Sequence, residues 1–100
     1  MPKEQYVDRM RVTDSLRRML RVLVDAEVPL SGLDITQRAE LHAGTIHPKL
    51  AALETREWIT SEWEIPVSPD VPRRRVYRMT PFGRTRTHEL LGDYDPANEN

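Results

Sequence analysis

The stretch Ser31-Gly32-Leu33-Asp34-Ile35-Thr36-Gln37-Arg38-Ala39-Glu40-Leu41-His42-Ala43-Gly44-Thr45-Ile46-His47-Pro48-Lys49-Leu50 carries two helix starts separated by one break. Ser31 with an acid three residues on is a capping signature. The hydroxyl can accept from the Asp34 amide while the carboxylate reaches back to the Ser31 N–H. A short helix is expected from there over roughly residues 33–41, with Leu33, Ile35, Ala39 and Leu41 as its apolar positions. His42-Ala43-Gly44 interrupts it. Thr45 is expected to cap the next helix, which puts Pro48 at N3, where a missing N–H removes no intrahelical bond. Ile46, Leu50 and Leu53 supply the inward stripe of that second helix. Two short helices joined by a brief Gly-containing turn make a helix-turn-helix.

Upstream, Thr13 is the expected N-cap of a longer helix, with Asp14 favourable in its first turn. Leu16, Met19, Leu20, Leu23 and Val24 recur at i, i+3, i+4, i+7 and i+8, the buried stripe of an amphipathic helix that ends by Pro29. Arg17, Arg18 and Arg21 fall on its other faces. Residues 1–12, with Tyr6, Val7 and Met10, read as a short extra helix or an ordered arm.

Downstream the period changes to two. Ile59, Ser61, Trp63 and Ile65 alternate with polar residues, and Arg75-Val76-Tyr77-Arg78-Met79-Thr80 resumes the pattern after a loop broken by Pro66, Pro69 and Pro72. These are the strands of an antiparallel hairpin. Tyr77 and Met79 should face one side, Val76 and Arg78 the other, with Arg78 paired to Glu62 or Glu64 across the hairpin. Trp63 is expected inward with Ile59, and Trp58 at the helix-to-strand corner. Thr80 caps a last helix with Pro81 at N1, in which Phe82, Leu90 and Leu91 are the apolar residues. The order describes an α+β domain of the winged helix-turn-helix class: a three-helix core, a β-hairpin wing and one C-terminal helix. Its expected limits are residues 13–91, after an arm at 1–12 and before an acidic tail at 92–100 that should fray.

Composition narrows the function. One hundred residues suffice for one core. Without cysteine there is no disulfide framework, thiol nucleophile or thiolate metal site. No apolar run approaches the ~20 residues of a membrane span, and no signal peptide is evident at the start. A cytoplasmic protein is the expectation. The formal net charge is −1, yet Arg73, Arg74, Arg75, Arg78, Arg84 and Arg86 fall within residues 73–88 without one acid. Glu89, Asp93, Asp95 and Glu99 then follow without one base. A basic stripe hidden in a neutral total is a statement about partners.

The segment Leu41-His42-Ala43-Gly44-Thr45-Ile46-His47-Pro48-Lys49-Leu50 resembles the pattern that PadR-like regulators write as L-S-x-G-T-(V/L)-Y-P-x-L. Leu53-Glu54-Thr55-Arg56-Glu57-Trp58-Ile59-Thr60-Ser61-Glu62-Trp63 continues it, and Arg73-Arg74-Arg75-Val76-Tyr77-Arg78-Met79-Thr80-Pro81-Phe82-Gly83 resembles the family's R-R-x-Y-Y-x-L-T-x-x-G. Ser31-Gly32-Leu33-Asp34-Ile35 is similar to its H-G-Y-(E/D)-I. The likeness covers roughly residues 13–91 and follows the short branch of the family. His47 replaces a Tyr, His42 a Ser or Thr, and Leu33 a Tyr. Glu57 stands at a Gly position that often needs positive φ. The resemblance implies a homodimeric transcriptional repressor on double-stranded DNA, reading a palindromic operator and pairing through its first and last helices. Phe82, Leu90 and Leu91, with Tyr6 and Met10 of the arm, are the expected dimer contacts.

In such a domain the second helix of the motif enters the major groove by its N-terminal end while the wing touches backbone or minor groove. Ala43 and Gly44 permit close approach, Thr45 can join the helix-start amides at a phosphate, and His47 and Lys49 are the expected groove or phosphate contacts. Arg73-Arg74-Arg75 beside prolines reads as a stiff basic finger for phosphates or a narrow minor groove. Its bland alternative is a solvated charge run. Enzyme chemistry finds no footing. His42, His47 and His88 lack metal-ligand spacing, no phosphate loop or nucleophile–base motif occurs, and no cofactor or metal is expected. Some family members bind planar small molecules, but no aromatic cluster here points to an effector. The rival class is a winged helix used to dock an acidic protein partner; a phage or plasmid control protein of the same fold is a further alternative.

Overall fold

The Leu16-Met19-Leu20-Leu23-Val24 stripe is buried along its whole length and organises the rest. The computed structural model describes residues 5–92. Among them the chain runs β1 (Tyr6–Val7), β2 (Met10–Arg11), α1 (Asp14–Asp25), β3 (Leu30–Ser31), α2 (Gly32–Ala39), α3 (Ala43–Thr55), β4 (Ile59–Trp63), β5 (Arg75–Met79) and α4 (Pro81–Leu91). Thr13 caps α1 by accepting from the Leu16 amide at 3.1 Å. Ser31 and Asp34 form the reciprocal capping box on α2, at 3.1 and 3.0 Å. Ile35 from α2 and Ile46, Leu50 and Leu53 from α3 close over the α1 stripe. Each such side chain removed from water contributes about 1.5–3 kcal/mol of burial. Leu33 is an exception to the expected stripe, because at the first turn of α2 it points to solvent.

The expected hairpin gains a third strand. β3 pairs antiparallel with β5, Leu30 opposite Tyr77 and Ser31 opposite Val76, so the sheet order is β3-β5-β4. Two residues are too few to show a period of two, which hid this strand in the sequence. β4 and β5 pair from Ile59↔Met79 to Trp63↔Arg75. Val76, expected on the outer face, is buried as well, since β3 lies beside it. Trp63 is a correction: it lies at the far end of β4 and is 51% exposed. The core under Ile59 does not extend that far up the wing.

The turn of the helix-turn-helix also starts earlier than expected. Glu40 takes the left-handed conformation and ends α2. α3 begins at Ala43 after His42, which makes no side-chain capping bond. Thr45 is therefore at N3 and not the N-cap, and Pro48 falls inside the helix. The carbonyl of Gly44 consequently has no amide four residues on to accept from.

α3 ends on a left-handed residue, Glu57, at φ 63°. The Trp58 amide donates to the Leu53 carbonyl at 2.9 Å and the Glu57 amide to Glu54 at 3.0 Å. This is the Schellman arrangement. A side chain there costs about 1 kcal/mol relative to glycine. Trp58 is buried, and the Thr80 amide donates to its carbonyl at 2.9 Å. Thr80 Oγ1 donates to the Glu57 carbonyl at 2.7 Å and accepts from the Gly83 amide at 2.8 Å. A Cβ built on Gly83 would sit 2.0 Å from the Trp58 carbonyl oxygen. α4 thus meets the corner backbone to backbone.

Of the two readings of the N-terminal segment, the helix is excluded. Residues 6–11 form a tight hairpin, with Tyr6 opposite Arg11 and Val7 opposite Met10. Asp8 and Arg9 at its turn both have positive φ, 49° and 68°, the pattern of a two-residue hairpin turn. Asp8 fixes it to the domain. Its carboxylate accepts from Arg86 Nη2 at 2.6 Å and Trp58 Nε1 at 2.9 Å, and its carbonyl accepts from Arg56 Nε at 2.6 Å. The Arg86 hydrogen bond, above all, holds the Asp8 carboxyl below the usual carboxylate range. Met10 is buried in the core, so it is not available as the dimer contact expected of it. The acidic residues 93–100 lie outside the described residues.

Both of these anchor points should register in stability. Gly83→Ala should destabilise the domain by about 3 kcal/mol, read as a lower Tm or denaturant midpoint; an unchanged midpoint contradicts the backbone contact. The Asp8 contribution should be full above its unfolded pKa, about 3.9, and vanish as pH falls through its lower folded value. Asp8→Asn should therefore be less stable than wild type at pH 7, with the gap closing in acid. A gap independent of pH would contradict the ionic role.

Candidate nucleic-acid interface

α3 buries Ile46, Leu50 and Leu53, so the line Gly44, Pro48, Ala51 and Thr55 faces directly away from the core. All four are exposed, and none carries a long side chain. A Cβ added to Gly44 would meet open space. Without a donor for the Gly44 carbonyl at Pro48, this line offers a flat surface that a partner's edge can approach closely. Ala43 is exposed beside it, and Thr45 is half-buried at N3.

The two remaining predicted residues stand on opposite flanks. His47 is exposed and lies against the start of α2, where a Cβ on Gly32 would come within 3.3 Å of its Cε1. Lys49 is half-buried on the other flank and faces the N-terminal hairpin, lining a cleft with Arg9, Arg11 and Arg56. It does not share the outward line.

The wing arginines are divided by the alternation of the strand. Arg73 and Arg75 lie over the Trp63 ring, 5.7 and 5.4 Å from its centroid. Arg75 also meets Glu54 of α3 at 3.6 Å, and Ser61 donates to that same carboxylate. This side of the wing therefore looks toward α3. Arg74 is turned to the other side in a bidentate pair with Glu64, at 2.9 and 3.0 Å. That pair lowers the Glu64 pKa and raises the Arg74 pKa, mainly through the hydrogen bonds. Arg78 pairs with Glu62 at 3.6 Å, one of the two cross-strand partners expected. The triplet is not one finger of free charge, because Glu54 and Glu64 answer two of its three members. Sequence reading missed Glu54 as a wing partner, since its distance in the chain hides the contact.

Other arginines are occupied within the fold. Arg17 donates to Gln5 at 2.7 Å, and Arg18 pairs with Asp14 and donates to the Glu40 carbonyl. Among the described residues no group of three or more His, Cys, Asp or Glu could hold a metal ion. No helix among them is long and apolar enough to cross a membrane.

The profile of the Transcriptional regulator PadR-like family matches residues 19–89. The chain belongs to that family. Its members are regulators and not enzymes, and the PadR-like fold explains why a helix-turn-helix and a two-stranded wing share one core. PadR of Bacillus subtilis, crystallised in complex with operator DNA, is 24% identical with a TM-score of 0.65, over 85% of this chain and 50% of that one. A mutant MepR from a multidrug-resistant clinical isolate of Staphylococcus aureus is 17% identical with a TM-score of 0.66, over 86% and 60%. A PadR-like transcription factor from Bacteroides fragilis is 26% identical with a TM-score of 0.63, over 77% and 76%. The first two share the winged-helix fold, and this chain spans only 50–60% of their length. No curated protein matches the chain.

Proposed function

We propose that this PadR-like regulator is a cytoplasmic, homodimeric repressor that binds a palindromic operator in double-stranded DNA. α3 enters the major groove with Ala43 and Gly44 against the duplex, Thr45 at a phosphate and His47 at a base edge. Arg73 and Arg75 of the wing meet the adjoining backbone. The observation that carries this reading is the exposed line of small residues on α3, bordered on one side by the arginine-bearing face of the wing. A groove about 12 Å wide admits an α-helix, and short side chains on the facing line let its backbone approach the duplex closely. That the Bacillus subtilis relative was crystallised in complex with operator DNA supports DNA as the partner. For the dimer, Tyr6 and Phe82 offer exposed apolar surface. Leu90 and Leu91 are half-buried, and Phe82 and Leu91 stand on opposite faces of α4, so the pairing cannot use one continuous stripe of that helix.

Selection from a random duplex library should enrich an inverted repeat whose half-sites lie one helical turn (~34 Å) apart. His47→Ala should cost about tenfold in affinity for the enriched site and relax preference at one position of each half-site. Failure to enrich any sequence contradicts the repressor reading. It would favour a protein-docking role for the wing, whose Ile65 and Val67 are 88% and 95% exposed.

A further inference from the structure

We propose that Glu54 of α3 limits how tightly the domain holds DNA: its carboxylate competes with a backbone phosphate for the Arg75 guanidinium, and so holds down binding to duplex of any sequence. The inference rests on the DNA-binding reading above and adds to it a residue that reading leaves unused.

Three observations converge. First, Glu54 follows His47 by seven residues, close to two helical turns. Both therefore stand on one flank of α3, the side where α2 and the wing lie. The outward line of Gly44, Pro48, Ala51 and Thr55 runs beside that flank. A duplex seated on the line passes one phosphate strand between α3 and the wing, where Glu54 is placed.

Second, the carboxylate is held at that place and can be exchanged. Ser61 of β4 donates to it, and Arg75 Nη2 of β5 stands 3.6 Å away. The side chains of Arg75 and Glu54 are 42% and 38% exposed. A phosphate can therefore reach the guanidinium without opening the core. An ion pair so open to water is weak, so replacing one anion by another costs little.

Third, α3 itself gives no reason for an acid at this position. Glu54 lies in the last helical turn, at the negative end of the macrodipole, where a carboxylate is disfavoured. No basic residue of that turn offsets it. The groups that answer it, Ser61 and Arg75, belong to the wing. Its contacts thus join the two elements that meet DNA, and they engage one of the two arginines assigned to the phosphates. Non-specific affinity is essentially all electrostatic, so this is the part of binding that Glu54 controls.

The test measures affinity for a duplex of random sequence by fluorescence anisotropy across a series of KCl concentrations. Glu54→Gln removes the charge and keeps an acceptor for Ser61. It should tighten binding about fivefold and steepen the slope of log affinity against log salt by about 0.9, the equivalent of one further phosphate contact. Glu54→Ala should give a gain of the same sign. With Arg75→Gln already in place, Glu54→Gln should steepen the slope by less than about 0.4. Glu64→Gln alters the net charge equally but releases Arg74 on the other side of the wing, and should leave the slope within about 0.3 of wild type. Thermal unfolding of each variant checks that the domain is intact. Unchanged or weaker binding by the folded Glu54 variants overturns the proposal, as does a full gain without Arg75 or an equal gain from Glu64→Gln. A wild-type protein that binds no duplex at any salt overturns the DNA-binding reading itself.

Discussion

Trp58 fixes how the parts of this domain sit on one another. Its amide closes α3 by donating to Leu53, its carbonyl receives Thr80, and its indole N–H donates to Asp8. Gly83 presses against its backbone. The end of α3, the start of the wing, the cap of the last helix and the N-terminal turn therefore meet at one buried residue. Moving any of them relative to α3 requires opening a packed interior, where a missing contact is not replaced by water. This is why a wing of two five-residue strands keeps a defined angle to α3, and why the hairpin of residues 6–11 holds its place.

The charge pattern is a consequence of that geometry. With the wing tilted toward α3, Glu54 falls beneath Arg75, and the strand alternation sends Arg74 to Glu64 on the other side. Both pairs are exposed, so neither contributes much to stability. Their effect is to set which arginines carry uncompensated charge toward a polyanion. Arg73 stays over the Trp63 ring with its side chain exposed.

Much of this was legible in the sequence wherever one residue type has one physical use. The α1 stripe, the Ser31–Asp34 box and the Thr80-Pro81 start each follow from local chemistry and hold as read, whereas the positive φ at Glu57 was signalled only by the glycine that similar regulators carry there. What escaped was set by long-range packing. β3 is too short to show a period. Trp63 obeys its alternation but outruns the core beneath it. Thr45 has the chemistry of a cap, yet Glu40 ends α2 early and shifts the start of α3 to Ala43. Lys49 and His47 look like neighbours in sequence, but two residues on a helix are about 200° apart. The N-terminal turn was least readable, because Asp8 and Arg9 adopt positive φ against their own preference and are held there by groups some fifty and eighty residues away.

Which surface meets the duplex is the deciding question. Titrating the isotope-labelled protein with a short duplex and following backbone amide resonances reports this residue by residue. Signals of residues 43–51 and 73–75 should shift together and saturably, while those around Arg17 and Arg21 on α1 stay in place. Shifts confined to α1 and α4, with the start of α3 silent, would contradict the interface described above.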